Sequence, residues 1–134
     1  IDGVKLRFSD VNAQYVTKDS KGKTSTHTIF EGLFIVADFN KDFKGQTSVL
    51  PDTAEKLFGN MIGSWLQEKN MNRNELIKMD NPEFEKHFVV YGTDQIESRY
   101  ILTHSMMDRL LTFKKKVSVP LYVSFRKDKI YLAL

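Results

Sequence analysis

The chain has 134 residues, enough for one compact domain that buries most of the surface its unfolded form exposes. A hydrophobic content of 41% and a charged content of 28% are ordinary for a globular protein and exclude the disordered and fibrous classes. Net charge is +3, from 20 basic and 17 acidic residues, too mild to indicate a specific nucleic-acid partner, and the absence of cysteine excludes disulfides and thiolate metal or redox sites.

No run approaches the roughly 18 apolar residues that a membrane span requires, and no signal-peptide pattern opens the chain, so the segment is expected to be soluble. It begins at Ile1, and strand alternation starts almost at once, with Val4, Leu6 and Phe8 set against Lys5, Arg7 and Ser9. This reads as a piece of a longer protein. Val11, Ala13 and Tyr15 alternate again, and Lys18 to Lys23 supply turn residues before a threonine-rich strand from Thr24, which predicts a hairpin. Leu33 to Ala37 are apolar at both parities, the pattern of a central strand covered on both faces.

Asn40 to Gly45 then carry turn chemistry, and Thr47 to Leu50 resemble a short returning strand ended by Pro51. Asp52 with Glu55 has capping-box spacing, and apolar residues at 54, 57, 58, 61, 62, 65 and 66 predict a core helix with Trp65 buried. Gly59 and Gly63 allow either close packing of that helix or a break in it. Asn81-Pro82-Glu83 predicts a short helix edged by Phe84 and Phe88, and Val89 to Tyr91 a strand. Asp94 with Glu97 and Ser105 with Asp108 repeat the capping-box spacing, and Met106, Met107, Leu110 and Leu111 give the second of these helices an apolar face. The C-terminal segment alternates from Val117 to Phe125, turns through Arg126 to Lys129, and returns through Ile130, Leu132 and Leu134, which predicts a hairpin. Pro120 places its first strand at an edge or points that position away from the ladder.

The chemistry of the residues is less specific. His27, His87 and His104 lack paired zinc spacing, and Glu83 with His87 sits on too short a helix for a rigid site, so no metal is expected. Phosphate-binding glycine motifs and a GxSxG elbow are missing, so no cofactor is expected and no catalytic residue can be named. Asp94, Glu97 and Arg99 are read as caps and a solvated helix face rather than an acid–base cluster. Lys114, Lys115 and Lys116 form the densest basic run. They suit a helix C-terminus, where cations meet the negative end of the dipole, and they also suit an anionic surface, together with Lys18, Lys21 and Lys23 if the fold sets those alongside.

The blocks "FEGLFIVADFNKDFKGQTSVLPD" and "FEKHFVVYGTDQIESRYILT", followed by the amphipathic C-terminal segment, resemble the bacterial domain of unknown function 3137 family over nearly the whole chain. The resemblance implies a bacterial inner-membrane protein in which two transmembrane helices precede this domain, here expected on the cytoplasmic side. It supplies no catalytic residues. The matching polar positions are Asn40, Lys41, Lys44, Glu97 and Arg99.

The sequence therefore predicts a single α+β domain over 1–134, a mainly antiparallel sheet of about six to eight strands packed by two or three helices. Its expected role is that of a membrane-proximal binding or interaction domain, and the alternative is a hydrolase or transferase with a site assembled from distant residues. The candidate binding surface is Lys41, Lys44, Arg99, Lys114, Lys115 and Lys116, facing an anionic membrane surface or a protein partner.

Overall fold

The computed structural model describes residues 3–54 and 75–134. The order of elements is β1 (Leu6–Lys18), β2 (Thr24–Pro51), β3 (Glu75–Leu76), α1 (Pro82–Glu85), β4 (Phe88–Gly92), α2 (Gln95–Ile101), α3 (His104–Val117) and β5 (Tyr122–Ala133). The helix expected after Asp52, with Trp65 and the two glycines, lies outside the described residues apart from Ala54, which is buried.

The five described strands form one antiparallel sheet in the order β1-β2-β4-β3, with β5 on β2. This is α+β as expected, but with fewer strands than the predicted six to eight. The difference has a single cause. Ala37 pairs with Ile130 and Thr47 with Phe125, so both sides of the polar stretch 38–46 face the same partner strand. A reversal would require the two sides to pair with each other. The register instead slips twice, between Asp38 and Phe43 and between Phe43 and Gln46, and β5 carries its own irregularity opposite, with Lys127 in the left-handed region at φ 54°. Both presumed turns are thus bulges at which two long strands bend together, and the predicted C-terminal hairpin is one strand. Val117 closes α3, and Val119 and Pro120 precede β5 rather than belonging to it.

The hairpin between β1 and β2 forms where the sequence places it. Gly22 supplies φ 80°, and the Asp19 carboxylate accepts from the backbone N–H of Lys21 at 2.9 Å and of Lys23 at 2.8 Å, an Asx-type closure of the turn. Of β1, only Val11 and Ala13 are even half-buried. Leu33 to Ala37 do hold the centre of the sheet, with β1 on one edge and β5 on the other, but their faces are half-buried rather than covered.

The core lies at the other half of β2. Val49, Phe88, Val90, Leu121, Val123 and Phe125 alternate inward from β2, β4 and the segment entering β5, and meet Met107, Leu110 and Leu111 of α3. Full burial of each large apolar side chain contributes roughly 1.5 to 3 kcal/mol, which makes this layer the main source of stability. Asn81 caps α1 by accepting from Phe84 N, with Pro82 at the first helical position, and Phe84 packs against Phe88 with the rings tilted and their centres 5.0 Å apart. The cap of α3 is Thr103, accepting from Met106 N at 3.3 Å, so the spacing of Ser105 and Asp108 is not used as a capping box.

Candidate functional site

The bend of β2 creates a local problem in hydrogen bonding. Where the ladder to β5 is interrupted, backbone N–H groups lose their strand partners, and leaving them unpaired would be costly, most of all at the half-buried Gly45. Glu97 of α2 supplies the remedy. One carboxylate oxygen accepts from Lys44 N at 2.8 Å and the other from Gly45 N at 2.7 Å. Thr93 continues the seam, its hydroxyl accepting from Gln46 N at 2.9 Å and its own N–H donating to Gln46 O at 3.0 Å. The buried hydroxyls of Thr47 and Ser98 complete it, 2.7 Å apart.

Two glycines allow this approach. A Cβ on Gly45 would collide with the Thr93 hydroxyl and stand 3.1 Å from a Glu97 oxygen, and one on Gly92 would collide with the Ser98 hydroxyl. The capping prediction for α2 is half right. Asp94 accepts from Ile96 N at 2.9 Å and Glu97 N at 3.0 Å, whereas the Glu97 carboxylate crosses to β2 instead of closing a box. Beneath the seam, Phe43 is buried and packs edge-on to Phe125 with ring centres 5.9 Å apart.

The structure brings three of the proposed binding residues around this seam and gives two of their side chains other work. The Lys41 ammonium sits 3.3 Å from the centre of the Tyr100 ring, a cation–π contact. Arg99 donates to the carbonyl of Lys78 at 3.2 Å, tying α2 to the chain that leads into α1. Lys44 takes part through its backbone, and its side chain faces an open groove of about 560 Å³ that also carries Arg126 and Lys127.

Lys114, Lys115 and Lys116 occupy the last turn of α3, as their charge suggests, and Ser118 closes the helix at φ 54°. They do not act as one patch. Lys114 and Lys115 line a groove of about 450 Å³ with Lys86, His87, Asp52 and Pro120. Lys116 faces a different hollow, beside Asp108 and Arg109. Lys86 also bonds Glu83 at 3.3 Å, and this hydrogen bond and charge hold the Glu83 carboxyl below its ordinary pKa, with a smaller contribution from His87 at 3.4 Å. Among the described residues, no carboxylate lies within ion-pair distance of Lys114, Lys115 or Lys116. The hairpin lysines 18, 21 and 23 are not alongside. They flank the start of β2, while this groove lies at its end, beside Pro51.

Sequence reasoning missed Lys86 as a neighbour of the α3 lysines and Thr93 and Ser98 as partners of β2. No local signal could have found these, because the contacts of the seam join residues some fifty positions apart. No group of three or more histidine, aspartate or glutamate side chains able to hold a metal ion occurs among the described residues.

No curated protein and no solved structure matches the chain. A family model described as a protein of unknown function, DUF3137, matches residues 28–134, from early in β2 to the last residue. Both blocks joined by the Glu97 seam fall within that span, and the chain belongs to the domain of unknown function 3137 family.

Proposed function

We propose that this is a membrane-proximal binding domain of a bacterial inner-membrane protein, lying on the cytoplasmic side and holding an anionic surface against the groove at the C-terminal end of α3. The observation that carries the reading is the convergence of Lys114 and Lys115 with Lys86, contributed by the chain after α1, around one open groove in which Asp52 is the only lining carboxylate among the described residues. The negative end of the α3 dipole accounts for lysines in its last turn. It does not account for Lys86 across the groove.

Each lysine close to an anionic bilayer contributes about 1 kcal/mol, so three give weak binding that matters when the rest of the protein already tethers the domain nearby. The test is flotation with vesicles of increasing phosphatidylserine content, at low and at physiological salt. Lys86→Gln/Lys114→Gln/Lys115→Gln should lose most of the binding while Lys116→Gln, on the other side of the helix, keeps most of it. Equal binding by both variants, or none by the wild type at low salt, refutes the assignment. Melting curves of the same variants separate loss of binding from loss of fold.

A further inference from the structure

The outer edge of β1 is the longest edge of the sheet without a strand partner among the described residues. Three strands have an edge without a strand partner among the described residues, and two of these edges are protected. β3 is two residues long, and β5 is bent by its bulge and carries Arg126, Lys127 and Lys129 along it. β1 is 13 residues long, contains no proline, and is regular throughout, because the extra residue of its bulge with β2, Ile29, lies on the β2 side.

The direction of its free groups follows from one hydrogen bond. Asp38 N donates to Lys5 O at 3.0 Å, so Lys5 faces β2, and with strand periodicity so do residues 7, 9, 11, 13, 15 and 17. Leu6, Phe8, Asp10, Asn12, Gln14, Val16 and Lys18 therefore direct their N–H and C=O groups away from the sheet. This outward set also carries the most exposed apolar side chains of the strand, Phe8 at 73% and Val16 at 64% relative exposure.

Asn12 is the midpoint of β1, and Phe8 and Val16 lie equally far on either side of it. We propose that a second copy of this chain pairs with β1 along this edge, antiparallel about a two-fold axis at Asn12. In that register every outward N–H and C=O from residue 6 to residue 18 finds a partner. Phe8 meets Val16 of the second copy, and by symmetry Val16 meets Phe8, which is an aromatic and β-branched cross-strand pair made twice. Val11 lies opposite Ala13, the only half-buried residues of the strand. Asp10 meets Gln14, Arg7 meets Thr17 and Leu6 meets Lys18, so no like charges are opposed. A register shifted to centre on Asp10 would oppose two carboxylates, and one centred on Gln14 would leave Leu6 and Phe8 without partners. Because the pairing is isologous and uses up the edge, it closes at two copies.

The test begins with sedimentation of the chain at concentrations from roughly 1 to roughly 500 µM, since a single strand-to-strand contact is a small interface that is expected to be weak. A shift from monomer to dimer mass is expected. Asn12→Lys sets two lysines opposite each other at the axis and should weaken dimerisation at least tenfold with an unchanged circular dichroism spectrum. Asn12→Pro removes one outward N–H without touching the ladder to β2 and should act in the same direction. The chain has no cysteine, which makes register a separate measurement. Under mild oxidation Asn12→Cys should cross-link to itself, because its Cα would lie about 5.5 Å from its symmetry mate, within disulfide reach, whereas Phe8→Cys should not. A wild-type monomer across the whole range, a dimer indifferent to Asn12→Lys, or equal cross-linking from Phe8→Cys overturns the proposal.

Discussion

Removing the Glu97 carboxylate tests whether the bend of β2 is held from outside the strand. In Glu97→Ala the N–H groups of Lys44 and Gly45 lose acceptors at 2.8 and 2.7 Å, and no β5 residue pairs with either. A hydrogen bond to a charged group contributes roughly 1.5 to 3 kcal/mol in a buried setting. Glu97 is half-buried and Lys44 exposed, so water compensates part of the loss and the lower end of that range applies to each bond. The expected cost is about 2 to 4 kcal/mol. Glu97→Gln keeps one acceptor oxygen but turns an amide NH2 toward the other N–H, and it should cost about half as much. Urea unfolding gives the free energies, and amide exchange gives the location: Lys44 and Gly45 should lose protection while Val49 and Val123 keep theirs. Thr93→Val removes the next bond of the seam, so its combination with Glu97→Ala should be non-additive. A cost below about 0.5 kcal/mol for Glu97→Ala, with unchanged exchange at Lys44 and Gly45, would refute the view that this carboxylate shapes the strand.

Gly45→Ala should destabilise by about 1 to 3 kcal/mol, since the new methyl must displace Thr93; unchanged thermal unfolding would count against the close approach of strand and helix. Thr47→Val leaves the Ser98 hydroxyl buried without its partner and should cost about 1 to 3 kcal/mol, and adding Ser98→Ala should recover part of that in the same unfolding assay. At the bulge of β5, Lys129 bonds Asp128 at 2.6 Å and Asp38 of β2 at 3.1 Å, and the hydrogen bond from Lys129 holds the Asp128 carboxyl below its ordinary pKa. A depressed carboxyl stabilises the fold above its unfolded pKa and loses that contribution as pH falls through the folded value, so the urea midpoints of wild type and Lys129→Met should converge as the pH is lowered from about 4. Parallel curves over that range would show that the cluster does not couple to folding.

How far the sequence could be read depended on the range of the interaction. Helix starts at Asn81 and Asp94 and the turn at Asp19 to Lys23 were legible because their partners lie within four residues. The cap of α3 lies two residues before the predicted Ser105, because Thr103, Ser105 and Asp108 all offer suitable side chains and only the backbone decides among them. The strand count failed for a different reason. Asn40-Lys41-Asp42-Phe43-Lys44-Gly45 has the composition of a reversal, but the sequence does not show that Glu97 will satisfy the freed N–H groups and remove the need to turn back. The proposed lysine surface was legible as a run and not as a shape. At helical spacing, neighbouring lysines diverge around the axis, so Lys116 parts from Lys114 and Lys115, and their new neighbour Lys86 arrives from another element.

The bend also decides how the two proposed surfaces relate. β2 is the only described strand that reaches from the hairpin to the α3 groove, with β1 paired along its first half and β4 along its last residues. The orientation of the β1 edge relative to the lysine groove is therefore set where β2 changes direction, at the residues that Glu97 and Thr93 hold and that Lys129 braces from the other side. Loosening that joint should leave each surface intact while releasing the angle between them. A Glu97→Ala chain that remains folded is thus expected to keep its dimer affinity and its affinity for anionic vesicles when each is measured alone. If the two surfaces work as one rigid unit, a dimer presents two grooves at a fixed separation, and vesicle binding should rise more steeply with chain concentration in the wild type than in Glu97→Ala. Identical concentration dependence in the two proteins would mean that the bend serves folding alone and that the two surfaces act independently.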